Sequence, residues 1–237
     1  DAFLSGGAGG NGGAGGTGRG GSPTLRANGG TIIGGDLQLT ATGVGGNGGS
    51  GGDDGNATFG ATGQGGNGEG GTPVLEIQNT SPTDFGSMTF QNVDLLANGT
   101  AGTGGAGGQA LGGRVEIYDL SQGDFSFASL DVDASGDEAI SNGGLFVDGS
   151  DGSINITGNL GVNVAGDIRF NFVQDGQAVV GGNVTLDADG DITITHGQGA
   201  VPANSFDVTG TFGAQAGGNF THLGEQQSLD SPIANTP

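Results

Sequence analysis

The 237-residue chain has no Cys, no Trp and no Lys, and only one Met (Met88) and one Tyr (Tyr118). Without Cys there are no disulfides, thiolate metal sites or Cys nucleophiles. That absence leaves the compartment open, because many bacterial surface proteins also lack Cys. The four basic residues are Arg19, Arg26, Arg114 and Arg169, against 25 acids, for a net charge of -21. A chain so poor in cations has no electrostatic footprint for nucleic acid. No apolar window reaches the roughly 18 residues that span a bilayer, so membrane insertion is not expected. The start, Asp1-Ala2-Phe3-Leu4-Ser5, carries neither an initiator Met nor a secretory signal, and a processed product or a fragment of a longer chain is expected. Helical periodicity is missing throughout.

Glycine is abundant, at 59 residues, and it is unevenly placed. Between the glycine blocks runs a short unit: Gly, then Asp, Asn or Ser, then apolar-x-apolar. Examples are Gly35-Asp36-Leu37-Gln38-Leu39, Gly152-Ser153-Ile154-Asn155-Ile156, Gly182-Asn183-Val184-Thr185-Leu186 and Gly190-Asp191-Ile192-Thr193-Ile194. Alternation over so few residues makes a short strand with one buried face, and Gly-Asx before it is turn chemistry. Longer repeats contain these units. Glu76-Ile77 and Asp84-Phe85 recur forty residues later as Glu116-Ile117 and Asp124-Phe125. Phe125-Ser126-Phe127 and Leu130-Asp131-Val132 recur as Ile154-Asn155-Ile156 and Leu160-Gly161-Val162. Eleven of the twelve Phe fall in or beside such strands, Phe3 being the exception.

Strands this short have little stability alone and must stack on copies of themselves. The expectation is an all-β fold in which parallel strands stack as a single-stranded β-solenoid, with like residues forming ladders. An ordinary β-sandwich is the rival. The expected layout is a glycine-rich N-terminal segment at 1–30, a solenoid at 31–225 interrupted by glycine-rich inserts at about 43–55, 63–71 and 99–113, and a tail at 226–237.

The glycine blocks follow an X-Gly-Gly rule. X is Ala8, Asn11, Ala14 and Thr17 in the first, Val44, Asn47, Ser50 and Asp53 in the second, Gln64 and Asn67 in the third, and Thr103, Ala106 and Gln109 in the fourth. Three residues is the period of the left-handed extended helix of polyproline and collagen chains. Two readings stand: inserts packed side by side as polyglycine-II-like helices, or flexible loops, since glycine loses the most entropy on ordering. In the first reading Ala8, Asn11, Ala14, Thr17, Asn47, Ser50, Asn67, Thr103 and Ala106 form an ordered surface.

Gly112-Gly113-Arg114-Val115-Glu116-Ile117, the run 124–136, the run 190–196 and Gly217-Gly218-Asn219-Phe220 together resemble the repeats of filamentous-haemagglutinin-like and autotransporter-type bacterial surface adhesins. The resemblance covers most of residues 30–225. It implies a right-handed parallel β-helix, export and a place at the cell surface. It carries over no catalytic residue.

Chemistry-bearing clusters are few. Asp187, Asp189 and Asp191 are similar to the start of an EF-hand calcium loop, but Gln198 stands where the twelfth-position Glu belongs. Solvated turn carboxylates are the plainer reading, with weak Ca²⁺ binding as the only cofactor considered. Asp131 or Asp133 against Asp148 is the one carboxylate pair weighed for glycoside hydrolysis, and no enzyme activity is expected. His196 and His222 end strands and are read as exposed, with no metal spacing. The Asn-x-Ser/Thr sites at Asn56, Asn79, Asn98, Asn155, Asn183 and Asn219 are read as stacked turn or strand-edge amides.

The leading expectation is a structural and adhesive segment of an extracellular bacterial surface fibre. Its partners would be copies of itself, adjoining segments, or a host, abiotic or polysaccharide surface. The alternatives are an ice-binding protein, with Thr40, Thr42, Thr58, Thr62, Thr185, Thr193 and Thr195 as candidates, and the receptor-binding tip of a viral tail fibre.

Overall fold

The computed structural model describes residues 9–53, 59–78, 85–119, 122–149, 152–172, 176–196 and 206–223. Ala8, Asn56, Thr58, Asn79, Gln198 and the 226–237 tail lie outside them. The described residues are all-β, with no helix among them.

Six successive passes of the chain and the start of a seventh supply the strands. The first carries β1 (Gly18–Arg19), β2 (Thr24–Asn28), β3 (Thr31–Ile33), β4 (Leu37–Thr40) and β5 (Gly43–Val44). The second carries β6 (Gly68–Glu69), β7 (Val74–Gln78), β8 (Ser87–Leu96) and β9 (Gly99–Thr100), and the third β10 (Ala110–Asp119) and β11 (Asp124–Ala134). Then come β12 (Glu138–Asp148), β13 (Ser153–Ile156) and β14 (Leu160–Val164), followed by β15 (Asp167–Phe172), β16 (Gln177–Val180) and β17 (Val184–Ala188). The sixth pass holds β18 (Ile192–His196), β19 (Phe206–Val208) and β20 (Phe212–Ala216), and β21 (Phe220–Leu223) opens a seventh on top of β18.

These strands do not form the single-stranded right-handed parallel β-helix that the repeats and the resemblance suggested. They separate into two large parallel sheets and a small one, with no closed solenoid. The nine-stranded sheet includes β2, β7, β10, β12, β15, β18 and β21; the ten-stranded sheet includes β3, β4, β8, β11, β13, β14, β16, β17, β19 and β20. The two-stranded sheet pairs β5 with β9. The physical reason lies in the connections. After β14 and β17 the chain crosses from one sheet to the other through little more than Ala165-Gly166 or Asp189-Gly190, too short to add a face. In the first passes the glycine inserts instead carry it away from both sheets. The result is a parallel-sheet sandwich.

The core lies between the sheets and is built from ladders of like residues. In the ten-stranded sheet one ladder runs Ile32, Met88, Phe125, Ile154, Ala178 and Phe206. In the nine-stranded sheet Leu25, Leu75, Ile117, Val147, Phe170, Ile194 and His222 align. Most of these side chains are buried in one continuous cluster. Burying a large apolar side chain contributes about 1.5–3 kcal/mol, so strands of four or five residues persist only as members of the stack. One irregularity needs glycine: pairing of β10 with β12 breaks after Gly112 and resumes at Arg114 with Gly144, whose φ of 120° excludes a side chain.

The glycine segments form a layer beside the sheets. Residues 41–53 run outward from β4, and 59–72 run back toward β7. The legs bond antiparallel, Gly63 N–H donating to Gly49 O and Gly66 N–H to Gly46 O, both at 2.8 Å. Residues 97–105 and 106–113 make a shorter excursion of the same kind, with Gly108 N–H on Gly102 O and Gly113 N–H on Ala97 O. Residues 9–21 are a further inward leg. On the next pass only Ser135, Gly136 and Asp137 separate β11 from β12.

Candidate interaction surface

Within the layer, bonds recur every third residue. Gly12, Gly15 and Gly18 donate N–H to the carbonyls of Ala61, Gln64 and Asn67 on the parallel leg, at 2.8, 2.7 and 2.9 Å. Gly46, Gly49 and Gly52 donate to Gly16, Gly13 and Gly10 on the antiparallel leg, at 2.8, 2.8 and 2.7 Å. The first glycine after X thus serves the parallel neighbour and the second serves the antiparallel one. A period of three is what an extended chain with three residues per turn imposes. The two glycines are required because the backbones touch. A Cβ on Gly12, Gly15 or Gly18 would lie 1.8–1.9 Å from a carbonyl oxygen of the 41–53 leg.

Asn11, Ala14, Thr17, Asn47, Ser50, Thr103 and Ala106 are exposed on this layer, and Asn67 is half-buried. They fall into two stacks: one on the inward legs 9–21, 59–72 and 106–113, the other on the outward legs 41–53 and 97–105. Ala8 is outside the described residues. The Asn members do more than face solvent. Asn11 Oδ1 accepts the Ala61 amide at 3.0 Å, Asn47 Oδ1 that of Thr103 at 2.9 Å, and Asn67 Oδ1 that of Gln109 at 2.9 Å. Each ties its leg to the parallel leg of the following pass.

The same device closes turns of the sheets. Asn159 Oδ1 accepts the Asn183 amide at 2.9 Å, and Asn183 Oδ1 accepts the Thr211 amide at 3.0 Å. Asp167 Oδ1 takes the Asp191 amide at 3.0 Å and Asp191 Oδ1 the Asn219 amide at 2.7 Å. Asp191, one of the calcium candidates, is therefore a rung of a hydrogen-bonded ladder. Asp187 points outward from β17, between Asn163 and Gln215, and Asp189 sits exposed in the following turn. Among the described residues no three His, Asp or Glu side chains are grouped to hold a metal ion.

The carboxylates weighed for hydrolysis do not converge. Asp131 and Asp133 lie on β11 of the ten-stranded sheet, Asp148 on β12 of the other. Asp131 lines an open groove of about 510 Å³ with Asp36, Asn92, Asp94 and Asn159. Partial burial, then the charges of Asp94 and Asp133, push its carboxyl above the usual range. Threonines are also scattered: Thr40 and Thr185 lie on one sheet, Thr193 and Thr195 on the other, and Thr62 in the layer.

Two histidines were misread as exposed. His196 is buried at 8% exposure, and its Nε2 is 2.8 Å from Nε2 of His222, which continues the Ile194 ladder position. Burial, and then any positive charge on His196, lower the His222 pKa. The apolar-x-apolar frame held the signal: His196 and His222 stand where Ile and Phe stand on earlier passes.

On the outer face of the nine-stranded sheet, the Arg114 guanidinium stacks 3.8 Å from the Phe146 ring centroid, and Arg169 lies 5.2 Å from the same ring. Arg114 also pairs with Glu116, Arg169 with Asp167, and Arg26 with Glu76. The few cations are thus spent on contacts within the chain. No family model, curated protein or solved structure matches this chain.

Proposed function

We propose that the chain is a structural segment of a bacterial extracellular surface fibre: a stiff parallel-sheet spacer whose glycine layer meets a surface or partner. One observation supports this most. The interior passes are sealed, but several inward-facing residues of the end strands are only partly covered among the described residues. These are Leu25, Ile32, Leu37 and Leu39 at one end and Phe206, Val208, Ala214, Ala216 and Phe220 at the other. Parallel sheets open at both ends are edges to which further passes add by the same backbone pairing. The acidic surface supports solubility and resists indiscriminate association. The test is immunogold labelling of intact source cells with antibody to the folded chain. Label along extended filaments outside the envelope is expected; label confined to the cell interior overturns the reading.

A further inference from the structure

Most glycines of the layer are accounted for by a backbone pressed against them; besides Gly107 at the turn of the shorter excursion, the exceptions form one row. A Cβ on Gly60, Gly63 or Gly66 would lie 2.0–2.1 Å from the carbonyl oxygens of Gly10, Gly13 and Gly16. One pass later a Cβ on Gly108 would lie 1.9 Å from Gly66 O. The same stacking puts Gly113 against Gly71 O at 2.3 Å and Gly71 against Gly21 O at 1.9 Å. In each stack the second glycine after X faces the inward leg of the preceding pass. At Gly10, Gly13, Gly16 and Gly21, where the stacks stop, a Cβ would meet nothing within 4 Å among the described residues.

The hydrogen bonds stop at the same edge. The carbonyls of Ala61, Gln64 and Asn67 accept glycine amides from the 9–21 leg, and those of Ala106 and Gln109 accept them from Gly65 and Gly68. The equivalent carbonyls on the first leg, those of Asn11, Ala14 and Thr17, receive no donor among the described residues. Asn11, Ala14 and Thr17 are exposed. The leg 9–21 is therefore a backbone edge with an established interface on one side and a bare copy of its acceptor side on the other.

We infer that the edge of the 9–21 leg is a docking site for a separate extended polypeptide with an X-Gly-Gly period and Asn at X. The ligand lies parallel to the leg. Its first glycine after each X donates N–H to the Asn11, Ala14 and Thr17 carbonyls. Its Asn Oδ1 atoms accept the amides of the same residues, as Asn11 does for Ala61. Addition of an extended segment to an open backbone edge is a general recognition mode; here the pockets are missing side chains, so any ligand bulkier than glycine at its first post-X position is rejected. This holds with or without the fibre reading, because it rests on the layer alone.

The probe is a synthetic peptide of this chain's own residues 44–52, which keeps glycine after every X and Asn47 at the central X, titrated into the isotope-labelled full chain and followed by amide shifts. Saturable shifts at Asn11, Ala14 and Thr17 are expected. Gly13→Ala, which meets open space in the folded chain, should leave the spectrum and melting temperature unchanged and weaken the peptide by about tenfold or more. A peptide with Gly48→Ala should fail against the unaltered chain, which keeps the test independent of protein folding. Absence of binding overturns the proposal, as does binding indifferent to both substitutions. Self-association of the chain that Gly13→Ala abolishes also overturns it, assigning the edge to a second copy.

Discussion

The sheet core and the glycine layer are stacked by the same repeat, yet they are specified in opposite ways. Between the sheets, side chains decide: Phe125, Phe127, Leu75 and Ile117 fill the interior and fix which face turns inward. In the layer the missing side chains decide, because carbonyl oxygens occupy the space a Cβ would need. The core is cohesive through apolar area and is tolerant of volume-conserving change. The layer is cohesive through backbone hydrogen bonds, each worth about 0.5–1.5 kcal/mol net, and an inner position tolerates no side chain. Only a dense, regular set of such bonds offsets the entropy of ordering so many glycines.

Substitutions on the two sides should separate them. Phe125→Ala, in the middle of a buried ladder, should cost about 3–5 kcal/mol in denaturant unfolding and lower the stability of sheets and layer together. Gly66→Ala should cost about 1–3 kcal/mol. Its Cβ would fall 2.0 Å from Gly16 O, and its own N–H and C=O tie it to Gly46 and Gly102. Hydrogen exchange should show protection lost across the layer but kept in β11, β14 and β17; equal loss in both would break the distinction. Asn183→Ala removes the acceptor for the Thr211 amide and hydroxyl and should cost about 1 kcal/mol, read as a lower thermal midpoint with the glycine layer unchanged.

The smallest effect is a pH dependence of the last strands. The His222 pKa is lowered on folding, so the neutral ring is the form the fold favours. Its contribution is fully present above the ordinary His value of about 6.5 and is lost as pH falls through the lower folded value. Amide exchange in β18 and β21 should accelerate in that window, and His222→Phe should flatten the profile. Unchanged exchange there would mean the pair carries no linkage.

The Gly-Asx-apolar-x-apolar unit made most of the later strands legible, because its alternation reports which residues face inward. The pairing of Phe125 with Ile154 and of Leu130 with Leu160 was readable in advance. The forty-residue repeat misled. Ile117 pairs with Leu75 rather than Ile77, and Phe127 with Phe90 rather than Ser87. The two sheets are offset differently on that pass because the β7–β8 connection is longer than the β10–β11 connection: Ile77 pairs with Asp119 and Ser87 with Asp124, so ten residues on one pass match five on the next, and an average spacing conceals this. Nor can a repeat report how sharply the chain turns between strands, so two separate sheets and one closed coil look alike in sequence. Phe59 shows the same limit. It was grouped with the strand aromatics, but it sits 68% exposed at the outer end of the layer, bridged to Asp53. The X-Gly-Gly period pointed to the layer surface, whereas the amide bonds of Asn11, Asn47 and Asn67 depend on which leg lies next, which composition does not encode.

The paired outward and inward legs also have a genetic consequence. Because each excursion leaves one pass and returns at the start of the next, its reach can change without moving any strand. The condition is that both legs gain or lose whole three-residue units, nine nucleotides at a time. Slippage in repetitive glycine codons supplies such steps. The long 41–72 excursion, the shorter 97–113 excursion and the tight 135–137 turn are then three settings of one adjustable ruler, by which a lineage could tune how far the layer projects while the sheets beneath it stay fixed.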